Sequence, residues 1–328
     1  MPSLVRAALE PKAPDAPRLT PGETAAAWWR ACRPPFFITA AIPVTLALVF
    51  TIRAGAEPAW GRFALTLAGC FLGLTIANFA NDLFDHVQGV DAGDNIGGSR
   101  VIQSGLISPR QLSGALIALL LATFAVGAWL VGTSGLPWLW GLVLFAAASA
   151  VFYVAPPIRY GHRGLGEVFV CLNMGFIMVA GTATVLTGRF FPASLALSLP
   201  VGLMVAGVMY YQSLPEIETD PAAGKQTLAS RLGKEGAVLL FRLWWPAVWV
   251  LLLNLWACGL ADWPVALGLL TIPLHRRTVR LTRGALANGD WLSLDAHGHL
   301  VRKLYLCNGL ALILGVGFAP LRAAWGWT

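Results

Sequence analysis

The chain has 328 residues, 23 Lys+Arg against 16 Asp+Glu and a formal charge of +7, with 57% hydrophobic and only 12% charged residues. An ordinary soluble domain carries about 25% charged residues, so this composition, with a mean hydropathy of +0.67, excludes a soluble globular enzyme, a disordered chain and a nucleic-acid binder. The basic excess reads as membrane topology.

Residues 1–35 contain Pro, Glu, Asp and Lys before any apolar run, so they read as a flexible cytoplasmic tail rather than a signal peptide. The tail leads into an interfacial start, Trp28-Trp29-Arg30, and residues 36–328 read as one polytopic domain. A spanning helix needs roughly 20 mostly apolar residues. Nine candidates are found, near 36–54, 63–81, 112–132, 137–155, 166–187, 191–213, 236–258, 262–275 and 304–324, with the eighth short. Pro200 and Pro246 fall inside the sixth and seventh as tolerated kinks. The expected fold class is therefore an all-α integral membrane bundle. With the N-terminus inside, eighteen of the 23 Lys+Arg fall on the inner side and four on the outer. That bias is expected of a multi-pass protein of the plasma (inner) membrane with a cytoplasmic N-terminus. The cysteines Cys32, Cys70, Cys171, Cys258 and Cys307 have no CxxC or CxxH spacing and read as small hydrophobes.

Seven of the sixteen acids fall in two short windows. The first, Asn78-Phe-Ala-Asn81-Asp82-Leu-Phe-Asp85, continues to Asp91 and Asp94 and closes the second span. The second, Glu216-Ile-Glu218-Thr-Asp220, comes after the sixth. Four crossings separate them, so both sit at the cytoplasmic face. In a helix Asn78, Asp82 and Asp85 share one side at i, i+4 and i+7, and Glu216 and Asp220 are four apart. Two facing carboxylate clusters repel unless a cation lies between them. Hard oxygen ligands with open positions suit Mg²⁺, which takes one or two carboxylates and leaves room for substrate phosphate oxygens. The windows thus predict a diphosphate site held through Mg²⁺ at the lipid–water boundary, with Asp82, Asp85, Glu216 and Asp220 as metal ligands. Asp91-Ala-Gly-Asp94-Asn95-Ile-Gly97 lacks the alternating ligands and terminal Glu of an EF-hand.

These residues carry a resemblance. Asn81-Asp-Leu-Phe-Asp-His-Val-Gln-Gly-Val-Asp91 resembles the first aspartate-rich motif of the UbiA superfamily of intramembrane prenyltransferases. With Gln103-Ser-Gly-Leu-Ile-Ser108 it looks like the branch that prenylates 1,4-dihydroxy-2-naphthoate for menaquinone. Ala223-Gly-Lys-Gln-Thr-Leu-Ala-Ser-Arg-Leu-Gly233 is similar to the run just after that branch's second motif; Tyr153-Val-Ala-Pro-Pro157, Gly164-Leu-Gly-Glu167 and Arg33-Pro34 also fit. The chain departs from the family at Gln212-Ser-Leu-Pro215-Glu216, where an Asn pair and an Arg-Asp are usual. Glu reaches Mg²⁺ at a longer distance, and the change removes donors that could have met diphosphate or acceptor.

The resemblance implies transfer of a polyprenyl group from its diphosphate to an aromatic acceptor, 1,4-dihydroxy-2-naphthoate or a related quinone precursor, with Mg²⁺ as cofactor and membrane lipid as surroundings. Asn78, Asn81, Arg33, Arg163 and Asp91 are the expected substrate-binding residues. Arg100 and Lys225, the cations nearest the motifs, would clamp the leaving diphosphate, and Tyr153 would face the allylic cation. Glu167 also reads as a first-turn acid favoured by the helix dipole. Arg276, Arg277, Arg280 and Arg283 read as facing anionic headgroups. Two rivals stand beside this reading. A terpene cyclase or other lipid-diphosphate enzyme on the same fold would need no acceptor. A transporter would concentrate its ionisable residues near the midplane, whereas here they sit at span ends.

Overall fold

The computed structural model describes residues 6–12, 17–90 and 97–324, and every regular element among them is helical. Ten helices carry the fold: α1 Pro21–Cys32, α2 Ile38–Arg53, α3 Trp60–Val87, α4 Pro109–Ser134, α5 Leu139–Phe152, α6 Gly166–Thr187, α7 Ala193–Gln212, α8 Leu228–Ala257, α9 Ile272–Asn288 and α10 Gly298–Ala324. Local chemistry sets several starts. Thr20 and Ser108 each form a capping box, with Glu23 and Gln111 three residues on, and a proline fills the first position of both helices. Thr227 caps α8 through the Ser230 amide at 3.3 Å.

All nine windows expected to span are helical, but the count of nine is not confirmed. Six helices are long and apolar enough to cross a membrane, and a seventh crossing is possible if α1 with Pro34–Phe36 and α2, bent by 51°, form one span. The shortfall has a local cause. Helix α5 is only 14 residues long, and the 262–275 window is split between a 3₁₀ segment, Trp263–Thr271, and the arginine-rich α9. Within the first 35 residues, α1 buries Ala27 and Ala31 and leans on α3, with Trp28 and Phe79 ring centroids 5.7 Å apart.

Large apolar side chains on the outer faces, such as Leu121, Trp129, Leu144, Leu239 and Val250, are exposed, as lipid-facing residues must be. Inside, two large apolar cores form, with a smaller third around Val131, Leu139 and Val185. One large core gathers α2 and α6 to α10 around Trp245, Tyr210 and Phe241; the other joins α1, α3 and α4 around Ile76, Phe79 and Leu112. Without a hydrophobic drive between helices in lipid, close backbone approach and polar clasps hold the first core. Asn308 on α10 accepts from Trp249 Nε1 of α8 (3.1 Å) and donates to Thr271 Oγ1 (3.1 Å). Helices α6 and α7 touch through glycines: a Cβ on Gly202 would lie 2.6 Å from both the carbonyl oxygen and the Sγ of Cys171.

Because one of those contacts is backbone, Gly202→Ala must push the helices apart. The expected outcome is a lower unfolding temperature in detergent, equivalent to about 1–3 kcal/mol of overpacking strain. Unchanged thermal unfolding of the purified variant would refute the close contact.

Candidate active site

Between the two large cores runs a cavity of about 650 Å³. Its lining follows α3 from Asp85 back to Thr66, a distance of about 28 Å at 1.5 Å per residue. The deep part is walled by residues such as Gly69, Val126, Leu142, Val143 and Ile177, and the mouth by Arg33, Asn78, Asn81, Asp85, Glu216 and Lys225. The site is thus a polar mouth on an apolar tunnel.

The first acidic motif lies in the last turns of α3, where Asp82 and Asp85 are both buried. Asp82, expected as a metal ligand, has both oxygens occupied and is not on the cavity wall. The Ser99 amide donates to its Oδ1 at 3.0 Å, the Ser99 hydroxyl to its Oδ2, and Arg33 pairs with Oδ1. Asp85 does line the cavity, with His162 Nε2 3.1 Å from its Oδ1. Asn78 lines the wall and donates to the Cys32 carbonyl at 3.0 Å, which ties α3 to the end of α1.

The second motif is a tight backbone turn after α7. The Asp220 amide donates to the Glu216 carbonyl (2.8 Å) and the Lys225 amide to the Asp220 carbonyl (2.9 Å). That folding places Lys225 Nζ 3.2 Å from Asp220 Oδ1 and 3.7 Å from Glu216 Oε2. Burial works against the Lys225 ammonium, but the Asp220, Glu216 and Asp85 carboxylates outweigh it and hold it well above the ordinary lysine range. Burial likewise raises the Asp220 carboxyl, against the pull of Lys225. One further backbone bond, from the Gln226 amide to the His162 carbonyl at 3.0 Å, joins this turn to the segment that serves Asp85. The two motifs are brought to one mouth.

Tyr153 comes directly after α5 and lines the same cavity beside Gly161, Gly166 and Glu167. Its ring meets Tyr160 edge-on at 5.4 Å, and Tyr160 stacks on Phe169 at 4.2 Å. Gly161 is required there, since a Cβ would lie 2.8 Å from Tyr153 Cζ and 2.9 Å from its carbonyl oxygen.

Four expected residues are not on the wall: Asp82, the fully buried Asp220, Arg163 and Arg100. The short Tyr160–Arg163 turn spends its buried positions on Tyr160, Gly161 and His162, which leaves Arg163 exposed and donating to the Pro157 carbonyl at 3.1 Å. Arg100, in a left-handed conformation with φ 57°, comes next after Ser99 but does not line the cavity. Asp91 and Asp94 lie outside the described residues. Sequence reasoning missed Ser99 and His162. Ser99 carries no distinguishing signal, whereas a histidine in the Arg159–Arg163 segment could have been flagged as a neutral-pH partner for a carboxylate.

The residues present fit a divalent cation. Glu216 Oε1 and Asp220 Oδ2 are buried and accept no hydrogen bond, and Asp220 Oδ1 meets only the Lys225 ammonium, so these oxygens remain available as ligands. Among the described residues no group of three or more His, Cys, Asp or Glu surrounds a single point. An ion here would take one or two carboxylates and complete its shell with substrate oxygens and water, the habit of Mg²⁺.

Residues 40–288 match the UbiA prenyltransferase family. The chain is 34% identical over 218 residues to a 1,4-dihydroxy-2-naphthoate octaprenyltransferase of Haemophilus influenzae, covering 63% of this chain and 69% of that one. It is 30% identical over 266 residues to the protein of the same name from Mycobacterium leprae, covering 81% and 88%. A solved structure of a UbiA homolog from Archaeoglobus fulgidus bound to GPP and Mg²⁺ superposes with a TM-score of 0.57 at 17% identity, covering 88% of this chain and 99% of that one.

His162→Ala leaves the buried Asp85 without its ring-nitrogen partner. The expected result is a loss of about 1–3 kcal/mol, read as a lower unfolding temperature, with part of it restored in His162→Asn. Identical melting of all three proteins would show that the contact does not stabilise the fold.

Proposed function

The chain belongs to the UbiA prenyltransferase family, and from that premise we propose that this multi-pass membrane enzyme transfers a polyprenyl group from its diphosphate to 1,4-dihydroxy-2-naphthoate or a related aromatic acid. The observation that carries the reading is the carboxylate-rich mouth on a long apolar cavity, a shape suited to an anionic head on a hydrocarbon tail. The naphthoate acceptor is supported by the names of the relatives. The basic bias of one face supports a mouth turned toward the cytoplasm at the plasma membrane.

Asp85, Glu216 and Asp220 would offer the one or two carboxylates that hold a Mg²⁺ ion. Bound there with the diphosphate, it supplies neutralisation of the charge that grows on the leaving group. Lys225, already charged beside Glu216 and Asp220, sits where it can donate to diphosphate oxygens. The allylic C–O bond breaks with its electron pair going to the diphosphate; the acceptor ring carbon that bears the carboxylate then donates a pair to the allylic carbon, and that carboxylate leaves as CO₂ with its bonding pair returned to the ring. Tyr153, held by Gly161 and Tyr160, presents its ring to the cationic carbon. The apolar tunnel keeps water from capturing that carbon. Asp82 acts here as a positioning residue: it holds Arg33 and Ser99 at the mouth.

The test is prenyl transfer by the purified protein from labelled geranylgeranyl diphosphate, with and without Mg²⁺. Acceptors are 1,4-dihydroxy-2-naphthoate, 4-hydroxybenzoate, homogentisate and none. A naphthoate adduct that forms only with Mg²⁺ is expected, whereas diphosphate release without an adduct would replace transferase by cyclase. Asp85→Asn and Glu216→Gln should each cut turnover at least about 100-fold. Asp82→Asn, acting at one remove, should cut it about 10–100-fold, with all three variants monodisperse. Near-normal turnover in Glu216→Gln would remove the second motif from the metal site.

A further inference from the structure

Among the described residues three cations line the cavity: Arg33, Lys225 and Arg302. Arg33 is paired with Asp82, and Lys225 with Glu216 and Asp220. Arg302, on α10, makes no side-chain hydrogen bond or ion pair among the described residues. Its guanidinium carbon lies 5.3 Å from the centre of the Phe36 ring, and Phe36 lines the cavity too. Asp295 shares the wall but is exposed and forms no ion pair with it.

The placement is fixed from two sides. One turn after Arg302, the Tyr305 hydroxyl donates to the Thr39 carbonyl at 3.3 Å, and Thr39 is one turn after Phe36, so α2 and α10 are held in register at this level. Across the mouth, the Tyr211 hydroxyl donates to the Leu294 carbonyl at 3.2 Å, which sets the end of α7 against the approach to α10. The next lining residues there, Gln212, Ser213 and Pro215, carry no cation and run directly into Glu216.

We propose that Arg302 and Phe36 form the subsite for the acceptor's carboxylate and ring, so that Arg302 selects an aromatic acid over its carboxylate-free analogue. The subsite rests on the transfer reaction proposed above. A guanidinium is a planar fork that meets a carboxylate through two parallel bonds. A phenyl ring beside it offers an aromatic face to the plane to which that carboxylate is attached. The cation-bearing second motif and its unspent oxygens lie on the Glu216 side of the mouth and serve the diphosphate, which leaves Arg302 for the second anion. The contact is made to a charge that departs as CO₂ during the reaction. Its loss therefore weakens ground-state binding and raises the acceptor KM more than it lowers kcat.

The experiment measures binding of 1-hydroxy-2-naphthoate and of 1-naphthol to the full-length protein in detergent, for wild type, Arg302→Gln, Arg302→Lys and Phe36→Leu. Steady-state kinetics with 1,4-dihydroxy-2-naphthoate and geranylgeranyl diphosphate run in parallel. Wild type should prefer the naphthoate. Arg302→Gln should bind it about 10–100-fold more weakly, bind naphthol as before and keep its KM for the prenyl diphosphate, with Arg302→Lys in between. Phe36→Leu should weaken both aromatics. An Arg302→Gln protein that keeps the naphthoate preference, or loses affinity for the prenyl diphosphate instead, overturns the subsite, as does a wild type with no preference. Wild-type turnover with an unaltered Arg302→Gln variant rejects the subsite and keeps the transfer reaction. Binding of naphthoate through Arg302 without any prenylated product rejects the transfer reaction and keeps the subsite.

Discussion

Burying the four carboxylates of the two acidic motifs in a membrane bundle is the constraint on which the rest of this structure depends. An unpaired buried charge costs more than a fold of marginal stability can absorb. Each carboxylate is therefore met by a partner: Asp82 by Arg33 and Ser99 and Asp85 by His162, from other parts of the chain, and Glu216 and Asp220 by Lys225 of their own turn. Several irregular stretches take their shape from this. Arg33 stands in a left-handed conformation, φ 51°, between α1 and Pro34, a backbone that costs a β-carbon residue roughly 1–2 kcal/mol. The ion pair to Asp82 holds it there, and with it the bend between the surface helix and the first crossing. Removing one member of such a buried pair costs about 3–5 kcal/mol, so the mouth and the bend stand or fall together.

The cavity is the complement of that arrangement. Two separate large apolar cores, rather than one, leave a gap along α3 that extends about 28 Å, close to the roughly 30 Å hydrocarbon thickness of a bilayer. The gap survives because its floor is lined by small residues, Gly69, Gly73, Ala146 and Ala147 among them. A space of that length and apolar lining can hold an isoprenoid chain.

Helical class and the convergence of the acidic windows were legible in the sequence, because both depend on local properties: apolar length, and acid spacing at i, i+4 and i+7. Residues that reach the site through tertiary folding were not. Ser99 and His162 look like ordinary loop residues until α3 and the Tyr160–Arg163 turn meet. Charge was visible at Arg163, but its direction was not; the turn gives the inward place to its neighbour His162. The count of nine crossings is not confirmed for a similar reason, since α5 is short and the 262–275 window is shared between the 3₁₀ segment Trp263–Thr271 and α9. Departure of the second motif from its family pattern was plain in Pro215 and Glu216. That Arg302, nearly ninety positions later, stands on the same wall could not be read without the fold.

The carboxylates of the two motifs outnumber their two strongly basic partners, Arg33 and Lys225, four to two. An anionic head approaching that surplus alone meets repulsion, and a divalent ion approaching alone finds an incomplete shell. In the proposed reaction each therefore prepares the place for the other, and thermodynamic linkage makes the effect symmetrical: the factor by which the metal tightens the donor is the factor by which the donor tightens the metal. When the freed inorganic diphosphate departs, the oxygens that complete the metal's shell go with it, and both halves of that mutual grip relax together.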